Sequence, residues 1–221
     1  MYKLAIFDMA GTTINDRDEV YRVLREATER EGADYTDNEF QNYMGTEKKW
    51  AIRHLLEVGG VDYSDATVDK AWQWFREELA RTYTEQPPTP LDGIEEMLAS
   101  LRDAGVKVAL TTGFSREITD LILRNMGWSV GETIDASVAG DEVETGRPEP
   151  FMIQKAMAEL DITDAAEVIS VGDTSADVVS AQRAGVTSVG VLTGHLSEQQ
   201  FSELGADHVL RSAADLPSLL N

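Results

Sequence analysis

At Gln86-Pro87-Pro88-Thr89-Pro90 the hydrophobic period of this chain changes, and the change separates two kinds of structure. From about Asp16 to Glu85 apolar residues recur at helical spacing: Val20, Val23 and Leu24, then Ile52, Leu55 and Leu56, then Ala71, Trp74, Phe75 and Leu79. The prolines end that pattern with a stiff, non-helical connector. Beyond them short apolar runs alternate with helical ones. Helices are expected over 93–104, 115–126, 148–160, 176–184, 198–204 and 213–220, and strands over 106–110, 136–139, 168–171, 187–192 and 208–210. A further strand, Lys3-Leu4-Ala5-Ile6-Phe7, precedes the helical stretch. Alternation of this kind demands a parallel sheet covered on both faces. The expected fold is therefore α/β, a doubly wound parallel sheet built from 1–15 and 87–221, with a helical cap domain over 16–86 inserted after the first strand. Arg17-Asp18 and the segment 86–90 are its expected hinges.

The chemistry should sit where such sheets bind ligands, outside the carboxyl ends of the strands. Polar residues gather at those ends: Asp8-Met9-Ala10-Gly11-Thr12-Thr13, Thr111-Thr112-Gly113 and Gly172-Asp173-Thr174-Ser175-Ala176-Asp177, with Gly146-Arg147-Pro148 in a loop. Asp8, Asp173 and Asp177 supply hard oxygen ligands for a divalent cation. Thr111 and the amides of the Gly11 loop supply donors for phosphoryl oxygens. Arg147 adds a fixed positive charge. One such strand end is an ordinary turn or helix cap; four in this order point to phosphoryl chemistry.

Composition removes other classes. The chain has 221 residues, no Cys and three His, so disulfides and thiolate metal sites are excluded and a His-built metal site is not expected. Forty acids against nineteen bases leave a net charge of −21, which disfavours nucleic acid and anionic membranes as partners. The excess is read as a solvated acidic surface, or as adaptation to a salty cytoplasm whose ions screen the repulsion. No apolar run approaches the length of a membrane span. Met1 to Ile6 lead straight into a strand without a basic leader, so a cytoplasmic protein, monomer or homodimer, is expected.

These motifs resemble those of the haloacid dehalogenase superfamily of aspartate-nucleophile phosphohydrolases, over the whole chain. The resemblance implies Asp8 as nucleophile, Ala10, Gly11, Thr12, Thr111, Thr112 and Gly113 around the phosphoryl group, and Arg147 as the catalytic cation. It also implies a Mg2+ held by Asp8, Ala10, Asp173 and Asp177. The superfamily's usual second Asp is replaced by Ala10, which cannot transfer a proton. Asp8-Met9-Ala10-Gly11-Thr12-Thr13, Thr111-Thr112-Gly113-Phe114-Ser115-Arg116-Glu117 and Gly146-Arg147-Pro148-Glu149-Pro150 are similar to the motifs of the phosphonoacetaldehyde hydrolase (phosphonatase) branch. There a cap lysine forms an imine with the substrate aldehyde, and the imine accepts the electrons of the broken carbon–phosphorus bond. Met44-Gly45-Thr46-Glu47-Lys48 puts Lys48 at that position, with Thr46 as expected N-cap.

Three roles stay open for Lys48: an imine lysine, an anion holder, or an ordinary solvated side chain. The chain departs from the branch at Ala51, where a His is usual, at Phe114, where a Tyr is usual, and in its shorter cap; His54 lies three residues beyond Ala51. Carbon–phosphorus cleavage of a small phosphono metabolite is the leading expectation. The alternatives are phosphomonoester hydrolysis of a small metabolite, and a catalytically weak binding or regulatory protein that kept the fold. Trp74 and Phe75 read as core, whereas Trp50 is left facing either the cleft or solvent.

Overall fold

The computed structural model describes residues 1–220. Its centre is a six-stranded sheet in the order β5-β4-β1-β6-β7-β8, parallel throughout. The strands are β1 (Leu4–Phe7), β4 (Lys107–Thr112), β5 (Ala136–Ala139), β6 (Val168–Gly172), β7 (Thr187–Val191) and β8 (His208–Leu210). All four residues of β1 are buried, because both faces of this central strand are covered. Phe7 belongs to one apolar layer and Ile6 to the other, as the two-residue period of a strand requires. Helices α5 (Ile94–Asp103), α6 (Arg116–Met126), α7 (Phe151–Glu159), α8 (Ser175–Ala184) and α9 (Glu198–Glu203) connect the strands. β1 pairs with β4 on one side and β6 on the other, so the crossovers diverge at its carboxyl end and leave a crevice there.

The helical stretch folds as α1 (Glu19–Glu29), α2 (Asp37–Gln41), α3 (Lys48–Val58) and α4 (Asp65–Glu85). Ser64 and Thr67 form a capping box that starts α4. Phe75 and Leu79 are buried, as expected, whereas Trp74 is half-buried beneath the Arg30 guanidinium, 4.6 Å from its ring centroid. The two ends of the stretch meet. Ile14–Asn15 (β2) pairs antiparallel with Thr89–Pro90 (β3), and the Arg17 guanidinium donates to the carbonyls of Gln86 (2.5 Å) and Pro87 (3.4 Å). Arg17 and Asp18 take φ of 59° and 60°, the left-handed region that non-glycine residues rarely occupy.

Two expected boundaries move. The helix expected from 148 starts at Phe151, since the chain first turns, the Glu149 amide donating to Gly146 O at 3.1 Å. The last expected helix is a 3-10 segment, Ala213–Leu219, with Pro217 inside it. No helix among the described residues is long and apolar enough to cross a membrane.

Candidate active site

Asp8 follows the last residue of β1, and its amide donates to the Val171 carbonyl at 2.9 Å, continuing the sheet. The chain then turns sharply. The Gly11 amide donates to Ile14 O (2.9 Å), and the Thr12 amide to Met9 O (3.1 Å), so both N–H groups are engaged within the loop. Gly11 takes φ 83°, and its backbone lies so close to Asp173 that a Cβ there would meet the carboxylate at 2.6 Å. Ala10 is buried beside them and offers only a methyl and its backbone groups. The Thr12 hydroxyl donates to Asp173 Oδ1 at 2.9 Å.

Asp173 and Asp177 come from the β6–α8 turn. Thr174 caps α8, and Asp177, at the third helical position, accepts from both the Thr174 amide (3.0 Å) and hydroxyl (2.5 Å). The helix start thus aims Asp177 back at the strand end. Asp8, Asp173 and Asp177 are all buried, and one oxygen of each lies within 4.8 Å of the others. Arg147 bridges two of them, donating to Asp8 Oδ1 at 2.5 Å and pairing with Asp177 Oδ1, while its Nε has no partner among the described residues. One guanidinium cannot balance three carboxylates out of water. Burial first, and then the Asp8 charge, push the Asp173 carboxyl up to about 8. A hard divalent cation would relieve that repulsion, and an all-oxygen set fits one.

Thr111, Thr112 and Gly113 close β4 on the other side of Asp8. Thr111 is buried, but its hydroxyl, which has no protein partner among the described residues, is not fully enclosed, whereas Thr112 Oγ1 accepts from the Phe114 amide at 3.2 Å. Over this strand end sits the loop 44–48. A Cβ on Gly113 would meet the Thr46 carbonyl and would lie 2.9 Å from Lys48 Nζ. Lys48 is only 3% exposed, and Nζ donates to Thr46 O at 2.6 Å. Burial, then the Arg147 charge, bring its ammonium down from the usual lysine range to about 8, against the opposing pull of Asp8, Glu47 and Asp16. Lys48 is therefore no solvated side chain.

The expected N-cap is corrected. Glu47, not Thr46, caps α3, accepting from the amides of Lys49 (2.8 Å) and Trp50 (2.7 Å), while the Thr46 hydroxyl turns back to Tyr43 O (2.7 Å). Lys49 points away to Asp69, at 2.7 Å.

Asp16 and Tyr83 of this region were not singled out by sequence reasoning, whereas Trp50 and His54 were named without a place in the site. Asp16 is buried in the first linker and accepts from Tyr83 Oη (2.7 Å) and the Val20 amide (3.0 Å); burial raises its carboxyl above the usual range. Tyr83 packs edge-on against Phe114, which follows Gly113. Trp50 borders a cavity of about 510 Å³ whose wall includes Glu47, Gly146, Arg147 and Pro148, so its indole does face the seam. His54 stacks on Trp50 at 3.9 Å and accompanies it. Helical periodicity could flag Tyr83 only as core, and nothing in spacing marks Asp16.

Known proteins resemble this chain in sequence and fold. A phosphonoacetaldehyde hydrolase of Bacillus cereus is 34% identical over 217 residues, covering 91% of this chain and 80% of that one. The crystal structure of a phosphonoacetaldehyde hydrolase-like protein from Oleispira antarctica superposes with a TM-score of 0.85 at 25% identity, covering 99% of this chain and 91% of the other. A hydrolase from Pseudomonas syringae also gives 0.85, at 21% identity, with 99% and 97% covered. The family profile of haloacid dehalogenase-like hydrolases matches residues 5–191. The chain belongs to the haloacid dehalogenase-like hydrolases.

Proposed function

We propose that the protein is a Mg2+-dependent phosphohydrolase that takes a phosphoryl group onto Asp8, and that its preferred reaction cleaves the carbon–phosphorus bond of phosphonoacetaldehyde or a close analogue. The observation that carries this reading is Lys48, a buried amine lowered to about 8 and set against Gly113, in a site whose Ala10 cannot move a proton. A phosphate ester needs an acid for its leaving alkoxide. A phosphonoaldehyde needs an electron sink instead, and a neutral lysine makes one.

In this reading the neutral Lys48 nitrogen attacks the aldehyde carbon, the oxygen leaves as water, and the imine takes up one proton from solvent, which the later hydrolysis of the aspartyl phosphate gives back. Asp8 attacks phosphorus, and the carbon–phosphorus electron pair moves into the imine to give an enamine. Water then hydrolyses the aspartyl phosphate to orthophosphate. The enamine takes up a proton and water, releasing acetaldehyde and free Lys48. Asp8, Asp173 and Asp177, with the Ala10 carbonyl, are the groups that would hold Mg2+, which when bound supplies positive charge against the phosphoryl oxygens. Arg147 orients Asp8, and the unpartnered Thr111 hydroxyl is available to a phosphoryl oxygen. Residues 16–86 act as the cap and 1–15 with 87–221 as the core, closing to exclude water. The printed name of the Bacillus cereus relative agrees with this substrate class.

Phosphomonoester hydrolysis is the second reading. It is favoured by the Lys48 Nζ contact to the Thr46 carbonyl, one that a charged ammonium makes best and that suits an anion holder. Borohydride added with phosphonoacetaldehyde separates the two. The expected result is a covalent adduct on Lys48, absent from Lys48→Arg, together with loss of carbon–phosphorus cleavage in that variant. Absence of any adduct, with phosphate-ester hydrolysis retained in Lys48→Arg, overturns the first reading in favour of the second.

A further inference from the structure

Tyr21 stands in the first turn of α1, nearly buried, its ring edge-on to Phe40 (centroids 6.3 Å apart) and to His195 (6.0 Å). His195 follows Gly194, whose backbone lies so close to Asp173 that a Cβ there would collide with the carboxylate. Tyr21 is thus packed on the residue next to the one that walls Asp173. The same side chain borders a groove of about 460 Å³ shared with Gln41, Met44 and His195, and these three continue into a small cleft that reaches Asp173 and Thr174.

The phenol is surrounded by charge yet unattached. Burial, then the carboxylates of Asp173, Asp8 and Asp16, push its ionisation well above the usual tyrosine range, so the hydroxyl keeps its proton and is a donor. Tyr83, the other buried phenol of these helices, is satisfied: it donates to Asp16 at 2.7 Å. The Tyr21 hydroxyl has no hydrogen-bond partner among the described residues. The hydroxyl is not among the fully enclosed unpartnered atoms, so it keeps access to solvent and is free to donate to a ligand.

We propose that Tyr21 is a substrate-contacting residue whose hydroxyl donates a hydrogen bond to an oxygen of the phosphoryl group held over Asp8. The inference rests on the phosphohydrolase reading above, but not on which bond to phosphorus is broken. Thr111 and Arg147 approach Asp8 from the sheet side. Tyr21 belongs to α1, so under this proposal the oxygen shell is complete only while α1 lies against His195. A neutral donor to an anionic oxygen makes a strong hydrogen bond, because the acceptor is charged and the surroundings are dry.

The test is binding of orthovanadate, in the presence of Mg2+, to the full-length wild-type protein and to Tyr21→Phe, read by titration calorimetry. Tyr21→Phe keeps the ring contacts with Phe40 and His195 and should leave the thermal midpoint unchanged. The expected result is a Kd for vanadate at least tenfold weaker, about 1.4 kcal/mol. Tyr21→Met, a flexible filler of the same slot, is the second variant should the first fail to fold, with the same weakening expected. Wild-type binding that both folded variants match within twofold overturns the proposal alone. Wild-type protein that binds no vanadate overturns the phosphohydrolase reading and this proposal with it.

Discussion

Replacing Asp8 by Asn removes the charge proposed to attack phosphorus and one oxygen of the carboxylate cluster together, while keeping its shape and its amide bond to Val171. Turnover by Asp8→Asn should fall by about three orders of magnitude or more, with the circular dichroism spectrum unchanged; activity within tenfold of wild type, a barrier change of only about 1.4 kcal/mol, would sink the nucleophile assignment. Lys48 gives a pH prediction of definite sign. Its amine releases a proton near pH 8 in the folded chain, against 10.5 for the ordinary group. Between those values the unfolded chain binds more protons, so this residue's contribution to stability rises with pH across that window. Lys48→Met lacks the buried charge and should be more stable than wild type at pH 7. The gap in denaturant midpoint should then narrow as pH is raised from 8 to 10, and a constant gap would refute the lowered ionisation. At this scale motif order displayed the carboxylates at strand ends and Arg147 in its loop, whereas Lys48 was visible only through the resemblance of Met44-Gly45-Thr46-Glu47-Lys48 to the phosphonatase cap segment. The sequence did not display Tyr21 or Asp16. Tyr21 looks like one more apolar helix residue beside Val20 and Val23, and Asp16 like a turn residue. Their meaning comes from which loop the helix packs on, and no local pattern encodes that.

Among the elements, the contact between loop 44–48 and the end of β4 is what holds Lys48 Nζ against Gly113. Gly113 has no positive φ, so Ala is conformationally tolerable there, but its methyl would strike the Thr46 carbonyl and crowd Lys48 Nζ. Gly113→Ala should therefore lower kcat/KM by at least about tenfold while changing the thermal midpoint little, since the clash is relieved by lifting the loop rather than by unfolding the sheet. An equal loss of stability and activity would mean that the loop cannot lift. The cap of α3 offers a separate check: Glu47→Ala should cost about 1 kcal/mol in chemical denaturation, as the amides of Lys49 and Trp50 lose their acceptor. Most helices and the five main strands beyond the prolines were legible from period alone. The β2–β3 pair was not, because two residues on each side carry no alternation, and a proline inside a strand argues against one unless it lies at an edge. The choice of Glu47 over Thr46 as cap was also hidden, since both side chains can accept from a helix N-terminus and only the turn geometry selects between them.

For the molecule as a whole, charge is the outstanding parameter. A net charge of −21 on 221 residues is opposed by exposed ion pairs such as Arg81 with Glu85, which solvent screens and leaves weak. Self-repulsion should dominate, so raising NaCl to about 1 M, where the Debye length is about 3 Å, should raise the thermal midpoint by several degrees. A midpoint that falls with salt would show that the ion pairs outweigh the repulsion. The doubly wound order was readable because alternation and chain reversal leave a parallel sheet few alternatives, whereas the way the helical stretch seats on that sheet depends on contacts between residues far apart in sequence. One of those contacts governs travel. With β2 paired to β3 and Arg17 gripping the carbonyls of Gln86 and Pro87, the two linkers are fused into a single joint. A body hung on two loose tethers can slide, twist and tilt independently. One mounted on a fused joint swings along a single arc, so any opening of these helices retraces its path and brings Lys48 back to Gly113 in the same register on every cycle.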